Sequence, residues 1–349
     1  MSTLRIFLSI MFLSLFFIPL PTTGISVVKT RPGALWDMVS FIMVFGSTLF
    51  FYAATANKKS YLTKQSLNIK LNFIKEMFII NAMIGTSVGL CFMWFGTTKP
   101  MPEGLNDGQL WVRLGASMGV ALLTDGYGSI GYFSTTVYQY FMDKKRDLDD
   151  KVFKIYKSYK SISLSFFVIP FLFIGLAYSL CFSASGTTFN EYWSIYKNII
   201  IVLFLILTML SILIVGPNFK TVLNSFLNKN PNLSSVNETI DDLRKLSRTI
   251  SILMGTSILF GMVHCSLVFY LYTPQSLGLP FSQIFLVFNL SLIFVSVIRT
   301  FLFRLNLCLL ENNQALIDVD KYYIFKYIIP VYIVLHVISA LGFFITIFK

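Results

Sequence analysis

The stretch WVRLGASMGVALLTDGYGSIGYFSTTV, residues Trp111–Val137, decides how the rest of the chain is interpreted. It is apolar enough to span a membrane, yet it carries many small and polar residues. Six of these recur at steps of three and four, which puts them on one stripe of a helix: Ser117, Ala121, Thr124, Gly128, Gly131 and Thr135. Because small side chains let a neighbouring backbone approach closely, the stripe predicts a membrane helix packed tightly against another helix.

Asp125 lies beside this stripe, 14 residues after Trp111. At about 1.5 Å per residue, the position is about 21 Å from the outer end of the helix, inside a hydrocarbon core of about 30 Å. A carboxylate is costly at that depth, and burial favours its neutral form. Two roles fit the residue: a protonatable site or gate in an ion path, or a hydrogen-bonding group that fixes helix packing.

The composition predicts an all-α, polytopic membrane protein. Of the 349 residues, 55% are hydrophobic and 13% are charged, and the mean hydropathy is +0.72. No soluble globular domain has this balance. The net charge of +12 comes from Lys and Arg in short segments between apolar runs. We therefore expect positive loops on the inner side of the membrane and no nucleic-acid partner.

No motif indicates a metal site, a cofactor or an enzyme. The four cysteines, Cys91, Cys181, Cys265 and Cys308, lie in or at the ends of apolar runs without ligand spacing. His264 and His336 are isolated, and we expect them to be packed or interfacial. Walker, Gly-x-Ser-x-Gly, His-Glu-x-x-His and dinucleotide-binding motifs are absent from the sequence.

Alternating apolar and Lys/Arg-rich segments predict about nine spans, with the N-terminus inside and the C-terminus outside. The spans lie near Ile6–Leu20, Trp36–Ala56, Met77–Phe95, Trp111–Val137, Ser161–Ser183, Tyr196–Pro217, Thr249–Tyr272, Leu279–Phe303 and Tyr323–Ile347. The first run also fits a secretory signal, although we favour a span. Near the inner end of the third span, Glu76 and Asn81 are expected to be interfacial.

Three domains follow from this pattern: a four-span membrane domain over residues 1–142, a charged cytoplasmic linker helix over 143–160, and a five-span membrane domain over 161–349. A tandem repeat is suggested because Gly85-Thr86-Ser87 recurs as Gly255-Thr256-Ser257, 170 residues later. At that offset Asp125 corresponds to Val295. The second copy would therefore keep the framework and lose the polar core.

Three segments resemble the MotA/TolQ/ExbB family of proton-channel subunits. They are Trp36–Leu49, with Val-Phe-Gly-Ser-Thr-Leu at its end, Ile84–Leu90 (IGTSVGL) and Gly119–Gly128 (GVALLTDGYG). The resemblance covers about residues 35–140. It departs from the family where Asp125 replaces a Thr, where only about twenty residues join the second and third spans, and where five further spans follow.

The resemblance implies a helical hairpin lined by hydroxyls, with Thr86, Thr124 and Asp125 on the ion pathway. Ser87 and Tyr127 are added to this pathway because their hydroxyls can hold water beside the acid. Thr86 and Asp125 are both expected near mid-membrane, since Thr86 lies about 14 Å from the inner end of its span. Gly85, Gly89, Gly128 and Gly131 are assigned to helix packing.

The resulting function is a bacterial inner-membrane, proton-channel-like subunit, of the motor-stator type, that couples ion flow to work by a partner protein. The resemblance implies a one-span partner with a membrane Asp, and further copies of this chain in a ring. A secondary transporter with Asp125 as its coupling acid is the alternative. A non-conducting membrane scaffold is a third interpretation.

Overall fold

The structure, a computed structural model, describes residues 37–55, 60–62, 64–97, 107–144, 153–155, 163–184, 199–227, 232–271, 277–311 and 323–347. These ranges are almost entirely helical, which confirms the all-α class. Two three-residue strands, Ser60–Leu62 (β1) and Phe153–Ile155 (β2), pair antiparallel. The first predicted span, Ile6–Leu20, lies outside the described residues.

Nine helices make up the described part of the chain. They are α1 (Met38–Ala54), α2 (Lys64–Gly96), α3 (Asp107–Lys144), α4 (Ser163–Ala184), α5 (Ile199–Val215), α6 (Phe219–Phe226), α7 (Leu233–Leu271), α8 (Gly278–Glu311) and α9, in which the π-helical turn Ile324–Ile328 leads into the α-helix Ile329–Ile347.

Four helical segments are long and apolar enough to cross a membrane: Leu67–Gly96, Leu233–Leu267, Gly278–Leu310 and Ile324–Gly342. A fifth is added if α5 and α6, bent by 87°, form one broken span. The protein is therefore a membrane protein with four to five candidate spans among its described residues. Helix α3 holds the predicted fourth span without meeting the same criteria, and the nine-span topology stays a prediction.

The bend between α5 and α6 has a local cause. Gly216 adopts a left-handed φ of 60° and its N–H donates to the carbonyl of Ile212 at 3.0 Å, which ends α5. Pro217 has no N–H and does not extend the preceding helix. Asn218 then caps α6, because its side-chain oxygen accepts from the N–H of Thr221 at 3.1 Å.

Helix α2 lies at the centre of the bundle, between α1, α3, α4 and α8. Most of α2 and α8 is buried, whereas α5, α7 and α9 present rows of exposed apolar side chains, among them Leu213, Phe260 and Ile333. Contiguous apolar surface of this kind is typical of helices that face lipid. The polar groups of α2 consequently have to find partners inside the protein.

Helices α2 and α3 approach closely along the small-residue stripe. A Cβ added to Gly85 would lie 2.8 Å from Thr124 Cγ2, and one added to Gly89 would lie 2.8 Å from the Cβ of Ala121. On α3, Gly128 lies against Ala82, and Gly131 lies against the Phe78 ring. The structure thus places all four glycines between these two helices, where a side chain would force them apart.

The helix bounds follow the 170-residue offset noted in the sequence. Shifted by that number, α2 falls on residues 234–266, within α7, and α3 falls on 277–314, around α8. The environments differ, because Thr256 is exposed and donates only to the carbonyl of Ile252 in its own helix, at 2.9 Å. The duplication itself stays a prediction.

The linker differs from the predicted helix over 143–160. Helix α3 ends at Lys144, and Phe153–Ile155 form strand β2. Phe153, Lys154 and Ile155 alternate between apolar and charged side chains, which is the period of a strand. The predicted helix was based on the charge of the segment and did not take this alternation into account. Strand β1 lies in the segment just before α2, so the pairing brings the segments that precede α2 and follow α3 together.

We predict that Gly128→Ala destabilises the protein and that Gly126→Ala does not. The first substitution puts a methyl group into the α2–α3 contact, at a cost of about 1–3 kcal/mol. The second is a matched control two residues away, where an added Cβ would meet no described atom within 4 Å. The free energy of unfolding, measured by denaturant titration in detergent micelles, tests the difference. Equal values for the two variants would contradict the packing.

Candidate functional site

Two threonines join α2 to α3 near the middle of both helices. The Thr86 hydroxyl donates to the carbonyl of Ala121 at 2.8 Å, and the Thr86 and Thr124 hydroxyl oxygens lie 2.5 Å apart. Both threonines are buried. Gly85, beside Thr86, makes room for Thr124. The close approach of the helices is therefore what brings the two hydroxyls together.

Asp125 lies at the junction of α2, α3 and α9. The Tyr332 hydroxyl of α9 donates to Asp125 Oδ2, and Thr86 lies on the α2 side of the same carboxyl. The Asp125 side chain is 27% exposed. The acid thus points into a contact between three helices, and it is neither fully enclosed nor turned away from α2.

His336 completes the cluster one helical turn after Tyr332. Its ring centroid lies 4.1 Å from that of Tyr332, and its Nε2 lies 4.0 Å from Asp125 Oδ2. Its Nδ1 is 3.0 Å from the carbonyl oxygen of Tyr332. A carbonyl only accepts, so Nδ1 carries the hydrogen and Nε2 of the neutral ring presents a lone pair.

The Nε2 atom of His336 is enclosed and has no hydrogen-bond partner among the described residues. Behind the site, Phe288 of α8 stacks on the Tyr332 ring with centroids 5.7 Å apart. This stacking fixes the phenol ring while its hydroxyl contacts the acid. A carboxyl, a phenol and an imidazole are thereby held together, and such a set is able to hold and pass a proton.

Ser87 faces a different helix. Its hydroxyl donates to the carbonyl of Ile84 at 2.9 Å and accepts from Asn289 Nδ2 of α8 at 2.7 Å. Asn289 also donates to Ile84, at 2.8 Å, and accepts from the Tyr178 hydroxyl of α4 at 2.6 Å. Adjacent residues of a helix point about 100° apart, so Ser87 and Thr86 cannot both face α3. The structure does not bring Ser87 to Asp125.

Tyr127 is also separate from the acid. Its hydroxyl accepts from the backbone N–H of Asp37 at 3.0 Å, and its ring meets Phe41 edge-on at the start of α1. Two residues along a helix turn the side chain by about 200°, which places Tyr127 on the opposite face from Asp125. Of the five predicted pathway residues, Thr86, Thr124 and Asp125 are together and the other two are elsewhere.

Glu76 forms a largely buried ion pair with Arg299 of α8. Arg299 Nη2 lies 2.5 Å from Glu76 Oε1, and Arg299 Nε donates to Oε2 at 3.0 Å. The two side chains are only 6% and 13% exposed, respectively. Asn81 is likewise fully buried and donates to Thr48 at 2.9 Å. Helix α8 covers Glu76 and helix α1 covers Asn81, so both side chains face protein. Their depth in the membrane stays a prediction.

Sequence reasoning missed Tyr332, Arg299 and the role of His336 in the cluster. Tyr332 and Asp125 are 207 residues apart, and Arg299 and Glu76 are 223 apart. One signal was present for the ion pair, since opposite charges near the same ends of two apolar runs are expected to pair in lipid. Among the described residues, no group of three or more His, Cys, Asp or Glu is placed to hold a metal ion.

Comparisons with family models, curated proteins and solved structures find no match to this chain. The MotA/TolQ/ExbB resemblance therefore rests on the three quoted segments alone.

We predict that Asp125 and Tyr332 are energetically coupled. In a double-mutant cycle of Asp125→Ala and Tyr332→Phe, the coupling free energy should be at least about 1 kcal/mol. Either substitution alone already removes the hydrogen bond, so the second substitution causes no further loss from it. Tyr327→Phe, on the same helix, is the matched control and should show no coupling to Asp125→Ala. Unfolding titrations of the full chain in micelles measure both values, and additivity at Tyr332 would rule out the contact.

Proposed function

We propose that this chain is a proton-channel-like membrane subunit in which Asp125 takes up and releases the proton. The observation that carries the proposal is the contact of the Asp125 carboxyl with Tyr332, beside Thr86 and His336. An acid in a membrane protein is costly unless it is used or paired. This one accepts from Tyr332 and has Thr86 and the His336 ring beside it, an arrangement suited to changing its protonation state.

The proton route follows from the chemistry of the cluster. Oδ2 of Asp125, which would bind the proton, lies 4.0 Å from Nε2 of His336. One water or a small side-chain movement closes this gap, after which the proton passes to the imidazole. The hydroxyls of Thr86 and Thr124 supply acceptors for water on the α2 side. Ser87 and Tyr127 act in this account by positioning α2 and α3.

The outer face of α3 supports the part of the proposal that concerns partners. Leu122, Gly126, Ser129 and Phe133 are exposed on the side away from α2, next to Asp125. We propose that a one-span protein with a membrane Asp, or further copies of this chain, pack there in a bacterial inner membrane. Work by that partner would be coupled to proton flow. This part rests on the family resemblance.

A secondary transporter is the second candidate, and one observation favours it. Asp125 is capped by α9 of its own chain, so the acid already has a partner without a second subunit. The shared 170-residue offset of α2–α3 and α7–α8 would fit a parallel internal repeat. Solute uptake driven by a proton gradient in liposomes that contain this chain alone would favour the transporter. Proton conduction by this chain without solute uptake would favour the channel subunit.

We predict that Asp125→Asn lowers proton flux at least about tenfold, because an amide cannot carry the transferred proton. The measurement is dye-reported proton uptake by liposomes containing the full chain under an imposed potassium diffusion potential. Asp241→Asn is the matched control, since Asp241 of α7 is 59% exposed in a surface pair with Arg244. Unchanged flux in Asp125→Asn would refute the proposed function.

We also predict that His336→Gln lowers proton flux by about tenfold or more, because it removes the base beside Asp125. His264→Gln serves as the control, since His264 lies on α7 with a buried Nδ1 and no described contact with the Asp125 cluster. The same liposome assay, repeated across pH, reports both. Identical pH profiles for wild type and His336→Gln would exclude His336 from the route.

A further inference from the structure

A second polar layer lies along the same helices as the Asp125 cluster. Glu76 precedes Thr86 by ten residues on α2, and Tyr323 precedes Tyr332 by nine at the start of α9. These intervals correspond to about 14–15 Å along each helix. The layer is on the side of the Lys-rich segment that precedes α2, which the charge pattern places in the cytoplasm.

The layer consists of the Glu76–Arg299 pair and the groups around it. The Arg299 guanidinium lies 5.5 Å from the centroid of the Tyr323 ring. The Tyr323 hydroxyl donates to the carbonyl of Ser247 at 2.6 Å and shares a hydrogen bond with Ser251. Four helices, α2, α7, α8 and α9, are therefore linked through one buried set of polar contacts.

The two polar layers are separated by apolar side chains. Those between them on α2, α8 and α9 are almost completely buried and belong to one hydrophobic cluster: Ile80, Met83, Leu292, Val295 and Ile328. The described polar side chains at this level, Asn81, Ser291 and Ser296, donate to Thr48 or to carbonyls of their own helix, and no described contact links them to Asp125 or to the Glu76–Arg299 pair. A proton reaches the inner side only if water enters this region, which requires the helices to separate.

We propose that the Glu76–Arg299 pair is the inner gate of the proton path. This inference rests on the function proposed for Asp125. While the pair is intact, it holds α2 against α8, and Tyr323 extends the hold to α7. When it opens, both charges become hydrated and water reaches the apolar region below Asp125.

The energetics fit a gate better than a fixed support. Burying two charges costs desolvation energy that their attraction only partly returns, so apolar residues would often join the same helices as well or better. A charged pair has a second favourable arrangement, in which each ion is hydrated. It is consequently able to switch between a paired and a hydrated state.

The experiment measures passive proton flux into liposomes that contain the full chain, with protons as the only probe. Glu76→Gln and Arg299→Gln each remove one charge, and we expect flux at least about tenfold above wild type because the closed arrangement loses its pair. Adding Asp125→Asn to either variant should return flux to the wild-type level or below. The charge swap of Glu76→Arg with Arg299→Glu should restore wild-type flux.

Arg304→Gln is the matched control. It makes the same change five residues along α8, where the buried guanidinium donates through Nε to the carbonyl of Ser225 at 2.9 Å. This variant should leave flux within about twofold of wild type. If the glutamine variants at Glu76 and Arg299 do not fold, Arg299→Lys keeps the charge but loses the paired contact. It should then give a smaller, Asp125-dependent increase.

Three results would overturn the gate: wild-type flux in the folded glutamine variants, wild-type flux in Arg299→Lys, or increased flux that survives Asp125→Asn. If one of these results is found and Asp125→Asn alone still lowers flux relative to the wild-type protein, the gate fails and the proposed function stands. If Asp125→Asn alone leaves flux unchanged, the proposed function fails, and the gate fails with it.

Discussion

The polar groups on the central helix α2 must be satisfied inside the protein, and the rest of the described bundle depends on this constraint. Neighbouring helices cover α2, so water and lipid supply few partners. Thr86 bonds to α3, Asn81 to α1, Ser87 to α8 and Glu76 to Arg299. Each neighbour is therefore held at a fixed rotation about α2. The Asp125 cluster is formed where α9 packs beside the α2–α3 contact.

Local patterns predicted the α2–α3 contact well. Ala121, Thr124, Gly128 and Gly131 follow the helical period, and the structure places all four against α2. Pathway residues that were chosen because they are neighbours in the sequence were predicted less well. Ser87 and Tyr127 were assigned to the pathway beside Thr86 and Asp125, although one or two residues along a helix turn a side chain onto another face. The rotation of α2 decided which hydroxyls met the acid.

Partners distant in sequence were beyond local reasoning. Tyr332 is 207 residues from Asp125, and no periodic pattern distinguishes it from the other tyrosines of the chain. The break at Gly216 and Pro217 falls at the end of the predicted span Tyr196–Pro217, and no pattern in the sequence indicated that the short helix α6 follows at 87°. Composition identified the membrane class because it sums over the whole chain. The position of α9 depends on contacts with α2, α3, α7 and α8 together, which no single stretch encodes.

The central claim is that the Asp125 carboxyl changes its protonation state while it contacts Tyr332. Infrared difference spectroscopy of the full chain in lipid bilayers, recorded across pH, tests this most directly. The account predicts a carboxylic-acid carbonyl band that titrates in the wild type, shifts in frequency in Tyr332→Phe and is absent from Asp125→Asn. A titrating band that persists unchanged in Asp125→Asn would contradict it.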